Sequence, residues 1–511
     1  MNESMRVDCW VRYWAQRQPD KPALIHEDRV ISYAELEHGA DTTARWLCSM
    51  GLSNGDRVAV LLRNCPEFVE LFMACARVGA ILVPLNHRST AKELAYLFKN
   101  SAAAVLVADW EFHAVLSESE IVSVLHDVAV VWLDKPGGEQ GRDYYDELEA
   151  LSDEWLIPDA NDLTREPKDV QILMYTSGTT GNPKGALLSY SKTFFNSLNA
   201  VSFLELSRDD VTLIVQPLFH SGGLLIQLSP ALHTGLTVIL PRRFSAKKFY
   251  TDVARYGVTT FVGVPTIYRL LLAVPPGERG GFSLLKVCAI GGEKSTPSLI
   301  AKCVAAGFPM RELMGQTETS IILWASEKDL LERPGSVGRP VLHAEVQLQD
   351  SDGIPVGFGT TGEIAVRGPV VMNGYWRNPE QTRAVFRNEW LRTGDMARRD
   401  EEGYFFLVDR MRNMFISGGE NVSTSEVEQV LEEHPEVDEA AVVGVDDNVW
   451  GQTGCAFIVC AVGATVMQAE LEAFCNERLA RYKCPTRYVF LNTLPRTASG
   501  KVRKVELLKT L

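Results

Sequence analysis

Apolar positions between Pro22 and Asn86 alternate between two periods. In "SYAELE", Ser32 and Glu35 form a capping box, and Leu36, Ala40, Ala44 and Leu47 then recur at helical spacing. "GDRVAVLL" reads as a strand, Pro66 to Arg77 as an amphipathic helix, and "AILVPL" as a buried strand. Such βαβα alternation predicts a mostly parallel sheet covered by helices. The same rhythm returns at "TLIVQPL", "LTVIL", "TTFVGVP" and "KVCAIGG".

Around Pro334 the texture changes. "GSVGRP", "EVQLQD", "GEIAVRG" and "YFFLVDR" are short apolar runs cut by Gly, Pro and Asp turns, which predicts an antiparallel or barrel-like subdomain. Beyond Arg410 a smaller α+β unit follows: helix "STSEVEQVLEEH", strands "EAAVVGV" and "GCAFIVCAV", helix "MQAELEAFCNERLARY" and strand "YVFL". The expected division is 1–408, a connection at 409–412, and 413–511. No repeat or low-complexity linker is visible, so the two units are joined tightly.

The chain has 511 residues, enough for more than one hydrophobic core. With 46% hydrophobic and 23% charged residues it reads as globular, and a net charge of -14 argues against nucleic acid as the main partner. The start, "MNESMRVDCWVRYW", lacks the pattern of a secretory signal, and "FMACARVGAILVPL" falls short of the ~20 residues of a membrane span and contains Arg77. Ten scattered cysteines without a CxxC pair speak against zinc and for reduced thiols in a cytoplasmic protein.

One stretch departs from all of this. "YTSGTTGNPKG", Tyr175 to Gly185, follows the apolar run "VQILM" with glycines, hydroxyls and one lysine. Backbone N–H groups and hydroxyls of such a loop can wrap phosphate oxygens, with Lys184 adding charge. It is not a Walker A loop, because Lys184 is followed by Gly185 instead of Ser or Thr. A mobile surface loop is the competing reading.

The stretch resembles the phosphate-binding signature of the adenylate-forming superfamily, which includes acyl-CoA synthetases, aryl-CoA ligases, luciferases and peptide-synthetase adenylation domains. Four further segments are similar to that superfamily's motifs and stand in its order: "MGQTET" (Met314 to Thr319), "WLRTGD" (Trp390 to Asp395), "DRMRNMFISGGENV" and "PRTASGKVRK". The implied fold is α/β: a large N-terminal domain of sheet layers with a distorted barrel, and a small mobile C-terminal domain.

The resemblance also implies site residues. Thr176, Ser177, Gly178, Thr179, Thr180, Gly181 and Lys184 would cradle the phosphates of ATP, with Thr176 and Glu318 holding Mg²⁺ through hard oxygens. Gly292, Glu293, Met314, Gly315, Gln316 and Thr317 would lie against the nucleotide, and Asp395 and Arg410 against its ribose. Lys501 would bridge the acyl carboxylate and the α-phosphate during adenylation, then withdraw as the small domain turns about Arg412. Ser417, Gly418 and Gly419 would then line the path of CoA. No general base is needed, since a carboxylic acid with pKa near ~4 is already ionised at neutral pH.

Two departures stand out: Met314 occupies a position where most members have an aromatic ring, and Arg412 stands where Asp or Lys is usual. Outside these motifs, Glu318 would be read as a surface charge, Asp395 as a turn cap, and Lys501 as a solvent-facing lysine.

"PLFHSGG" resembles the segment lining the acyl pocket. His220, Ser221, Gly222 and Gly291 would face the acid, and His220 reads equally as a structural histidine. The region lacks the Asp that pairs with an amino-acid ammonium, which disfavours an amino acid substrate. The expected activity is ATP-dependent coupling of a fatty or aromatic acid to CoA; transfer to a carrier protein or an amine stays open, as does a homodimer.

Overall fold

The computed structural model describes all residues except 1–5, 153–154, 156, 158–165, 177–182, 294, 411–413, 418–419, 448–450 and 497–501. The local signals act as expected. Both halves of the capping box are made between Ser32 and Glu35, and the helix Tyr33–Ser49 buries Leu36, Ala40, Ala44 and Leu47. The helix Pro66–Val78 opens on proline and ends at Gly79, whose φ of 79° is open to a residue without a Cβ.

Three sheets form among the described residues. One has eight strands in the spatial order Gly374–Tyr375, Lys184–Ser189, Val170–Thr176, Ile81–Pro84, Arg57–Leu61, Val105–Asp109, Ala129–Leu133 and Arg142–Asp143. From Val170–Thr176 to Arg142–Asp143 its neighbours run parallel, whereas Lys184–Ser189 and Gly374–Tyr375 are antiparallel additions at one edge.

The second sheet has a parallel centre of Thr237–Ile239, Val211–Leu213, Thr260–Gly263, Val287–Gly291 and Met310–Gln316. Antiparallel strands continue it through Ser320–Ala325 and Ser336–Pro340 to Phe405–Arg410, Trp390–Arg399, Gly362–Arg367 and Glu345–Gln349. The segments after Pro334 are thus antiparallel as their turns predict. They are hydrogen-bonded onto the parallel sheet through Ser336–Pro340 and do not form a detached unit.

Helices Tyr33–Ser49 and Pro66–Val78 lie in a core that joins Val58, Val60 and Leu82 of the first sheet to Leu228, Leu236 and Val238 beside the second. Burial of each large apolar side chain there contributes about 1.5–3 kcal/mol. The third sheet, with strands Phe415–Ser417, Glu420–Val422, Gly451–Cys460, Val437–Asp447 and Arg487–Phe490, carries its own core around Val427, Leu431, Val442 and Ile458. Of the expected connection 409–412, Asp409 and Arg410 belong to the strand Phe405–Arg410, and 411–412 lie outside the described residues. No described helix is long and apolar enough to cross a membrane.

Candidate active site

Strand ends from the two large sheets meet at one point. Val170–Thr176 stops at Thr176, whose partner across the hairpin is Lys184. Met310–Gln316 stops at Gln316 and turns through Thr317–Thr319 into Ser320–Ala325. The turn is tight: a Cβ on Gly315 would lie 1.9 Å from the Ser320 carbonyl oxygen, and Ser320 holds a φ of 57°. Crevices beyond the carboxyl ends of parallel strands are where ligands bind in such sheets.

Here the turn delivers Glu318, 8% exposed, to within 3.5 Å of Thr176: the Thr176 hydroxyl points at Glu318 Oε1 and lies 3.4 Å from the Lys184 carbonyl. The Tyr375 hydroxyl donates to the same Glu318 oxygen at 2.9 Å. Lys184 Nζ donates to Gln381 Oε1 at 2.7 Å and stands 5.4 Å from the centre of the Tyr375 ring. A cavity of about 270 Å³ opens beside this group, lined by Gln316, Glu318, Tyr375, Thr393 and Gly394 among others.

Asp395 follows from the same side. It is 7% exposed, its N–H donates to Thr393 Oγ1 at 3.1 Å, and it pairs in register with Arg410. Gln316 Nε2 donates to the Thr393 carbonyl at 3.4 Å, tying the Glu318 turn to this strand. Gly291 ends its strand where a Cβ would lie 2.5 Å from the Leu313 carbonyl oxygen, and Gly292 follows with a φ of 85°. Met314 turns inward among Ile322, Leu323, Val337 and Ile364.

His220 packs against Phe219, ring centres 4.3 Å apart, and Ser221 leads into a π-helix at Gly222–Leu228. Turns of π-helix are rare and occur frequently at functional sites. Gly223 is required there, since a Cβ would lie 2.5 Å from the Pro217 carbonyl oxygen. Residues 177–181, Arg412, Gly418, Gly419 and Lys501 lie outside the described residues; Ser417 is buried at the end of Phe415–Ser417.

Three residues at this site carry no motif signal of their own. Tyr375 reaches it through the pairing of Gly374–Tyr375 with Lys184–Ser189, and Gln381 from the helix Pro379–Val385 that follows. Lys192, fully buried, donates to Ser320 Oγ at 2.8 Å and to the Val370 carbonyl. Burial lowers its pKa to about 7, opposed by the charge of Glu318.

This geometry agrees with what the chain is related to. A family model described as "AMP-binding enzyme" matches residues 11–376, and one described as "AMP-binding enzyme C-terminal domain" matches residues 426–501. The chain belongs to the AMP-binding enzyme family. Among curated members, an indoleacetate–CoA ligase of Aromatoleum aromaticum is 37% identical over 98% of this chain and 97% of its own. A feruloyl-CoA synthase of an Amycolatopsis species is 38% identical over 98% of both. The o-succinylbenzoate CoA synthetase of Bacillus subtilis, solved with its acyl-adenylate intermediate, superposes with a TM-score of 0.86 at 33% identity over 98% of this chain and 97% of that one. The same enzyme solved with ATP and a magnesium ion gives 0.85 at 32%, over 98% and 99%. As an AMP-binding enzyme, this chain has the mixed α/β fold and separate C-terminal unit of those structures.

The AMP-binding enzyme's donor set suits Mg²⁺. Among the described residues no group of three or more His, Cys, Asp or Glu side chains gathers that could hold a metal by itself. One buried carboxylate and one hydroxyl is instead the sparse oxygen set that Mg²⁺ accepts when substrate phosphates complete its shell.

Proposed function

We propose that this acid–thiol ligase couples an aromatic carboxylic acid to the thiol of CoA through an acyl-adenylate. The observation that carries the reading is the meeting of Thr176, Glu318 and Lys184 at the joint carboxyl ends of two sheets. In the first half-reaction the acid's carboxylate oxygen attacks the α-phosphorus of ATP, the bond to the β-phosphate bridge breaks, and pyrophosphate leaves. In the second the CoA sulfur attacks the acyl carbon and AMP departs with the electron pair.

The residues' work is alignment and charge. Lys184 and the loop 177–182 hold the β- and γ-phosphates that leave together. Glu318 and Thr176 would hold Mg²⁺, which supplies charge neutralisation on the phosphates when bound. Asp395 accepts from the ribose hydroxyls, with Arg410 beside it. Lys501 lies between carboxylate and α-phosphate in the first step, and Ser417, Gly418 and Gly419 line the CoA path in the second, after rotation about Arg412. His220, Ser221, Gly222 and Gly291 bound the acid. An aromatic acid is supported by the indoleacetate and feruloyl relatives, which are named for such acids.

We place the reaction in the cytoplasm, in keeping with ten free cysteines. Incubating aromatic and fatty acids with ATP and Mg²⁺, with and without CoA, and following AMP and thioester by mass spectrometry tests the reading. Thioester is expected with aromatic acids. AMP release without any CoA adduct would overturn the ligase assignment, and thioester from fatty acids alone would overturn the aromatic one.

A further inference from the structure

The segment from Met372 to Thr382 touches the phosphate site at three separate points. The Met372 N–H donates to the backbone carbonyl of Glu318 at 2.8 Å. Gly374 and Tyr375 then pair antiparallel with Leu187 and Ala186, on the strand that returns from loop 177–182, and the flanking N–H groups of Asn373 and Trp376 donate to the Leu187 and Gly185 carbonyls at 2.9 and 2.7 Å. The short helix Pro379–Val385 closes the segment on itself: Asn378 Oδ1 accepts from the Gln381 N–H at 3.1 Å, and Thr382 Oγ1 accepts from the Tyr375 N–H at 2.9 Å. Gly374, at a φ of 142°, allows this closure, because a Cβ there would lie 2.7 Å from Thr382 Cγ2.

Two side chains project from this frame. Tyr375 donates its hydroxyl hydrogen to Glu318 Oε1, and its ring stands 5.4 Å from Lys184 Nζ. Gln381 Oε1 accepts from Lys184 Nζ at 2.7 Å. A carboxylate on a three-residue turn is free to rotate about its own bonds. With Oε1 engaged by the Tyr375 hydroxyl and approached by Thr176 at 3.5 Å, Oε2 is left as the oxygen to present to a cation. Outer partners of this kind orient carboxylates that hold metals. The ammonium of Lys184 faces an analogous constraint. A neutral amide oxygen and a ring face hold it in place without cancelling its charge, which stays whole for a phosphate.

We propose that Tyr375, with Gln381 behind it, is a positioning residue of the nucleotide-phosphate site: its hydroxyl sets which oxygen of Glu318 faces the metal-bound phosphates, and its ring and Gln381 set the place of Lys184. The inference rests on the reading of Glu318 and Lys184 given under the proposed function. It makes one segment the common support of both the anionic and the cationic half of the clamp.

The test is binding, measured by calorimetry on the full-length protein, of Mg²⁺-ATP and separately of AMP, which lacks the phosphates concerned. Tyr375→Phe keeps the ring and loses the hydroxyl; Gln381→Glu keeps the shape and neutralises Lys184. Each is expected to weaken Mg²⁺-ATP about ten- to a hundredfold while AMP binds as in the wild type. Pyrophosphate exchange should fall with it, and thioester formation from supplied acyl-adenylate should persist. Unchanged Mg²⁺-ATP affinity in Tyr375→Phe, or equal loss of ATP and AMP, overturns the inference. Glu318→Gln run alongside separates the two levels. If it too binds Mg²⁺-ATP normally, the reading of Glu318 falls and the inference with it; if it alone is weakened, only the role of Tyr375 fails.

Discussion

Glu318 concentrates the chemistry of a turn into one carboxylate. It is 8% exposed, and its Oε1 accepts from Tyr375 with Thr176 3.5 Å away. Glu318→Gln preserves the volume and removes the charge, so under the proposed mechanism the phosphates would lose a cation-holding group while the turn keeps its backbone. Adenylation, read by acid-dependent pyrophosphate exchange, is expected to fall about 10²–10³-fold, the scale of losing one preorganised electrostatic group. Thioester formation from supplied acyl-adenylate should be spared, since pyrophosphate has already left; loss of both steps in a folded variant would refute this role. Met314 stands in the same motif. Its place there implies contact with adenine, and in the structure its side chain packs among Ile322, Leu323 and Val337.

At the scale of elements, what was legible in the sequence was what is decided locally. The capping box at Ser32, the proline-to-glycine limits of Pro66–Val78 and the antiparallel texture after Pro334 all depend on neighbours a few positions away. "TLIVQPL" reads as a longer strand than the observed Val211–Leu213. The reason is distant: Asn64 Nδ2 donates to the Gln216 carbonyl at 3.0 Å and Asn64 Oδ1 accepts from the Leu218 N–H at 2.9 Å, so a side chain takes the place of a strand partner. Tyr375 and Gln381 escaped for the same reason, Gln381 meeting Lys184 from 197 residues away. The helix pair Tyr33–Ser49 and Pro66–Val78 hides a further polar contact. Glu70 packs on Gly39, where a Cβ would lie 2.4 Å from its Oε1, and burial, with the charge of Glu67 adding, raises its carboxyl from 4.5 to about 8 against the pull of Arg29. The folded protein therefore holds a proton there that the unfolded chain releases above 4.5. This contribution is complete below 4.5 and is lost as pH rises through 8. Glu70→Gln fixes the neutral form, and urea unfolding across that range should show it equal to wild type at the acidic end and more stable by about 1–3 kcal/mol at the alkaline end. A pH-independent difference would contradict the shift.

For the whole molecule, the proposed mechanism makes incompatible demands on one small space: Lys501 would sit at the carboxylate while phosphorus is attacked, and a thiol would reach the same carbon afterwards. In the proposed mechanism the residues for the two steps, Gly418 with Gly419 and Lys501, fall within 418–419 and 497–501, which lie outside the described residues. Each is anchored by its own flanks. Arg496 and Val502 form an antiparallel bridge at the two ends of 497–501, and Lys504 Nζ donates to Thr424 Oγ1 at 2.6 Å and pairs with Glu428 at 2.7 Å. Phe415–Ser417 and Glu420–Val422 pair as a hairpin around 418–419. The described flanks of both stretches belong to one unit, so if Lys501 and the glycine pair serve the two steps as proposed, rotation of that unit would exchange one for the other. Lys501→Ala is expected to abolish pyrophosphate exchange, a loss of at least about 10²-fold, while thioester formation from supplied acyl-adenylate and CoA continues at the wild-type rate. The converse variant, Gly419→Leu, should leave pyrophosphate exchange intact and block the thioester step by filling the path of the pantetheine arm. If either substitution in a folded protein slowed both half-reactions alike, a single fixed arrangement of the two units would serve both steps and the exchange of loops would have to be given up.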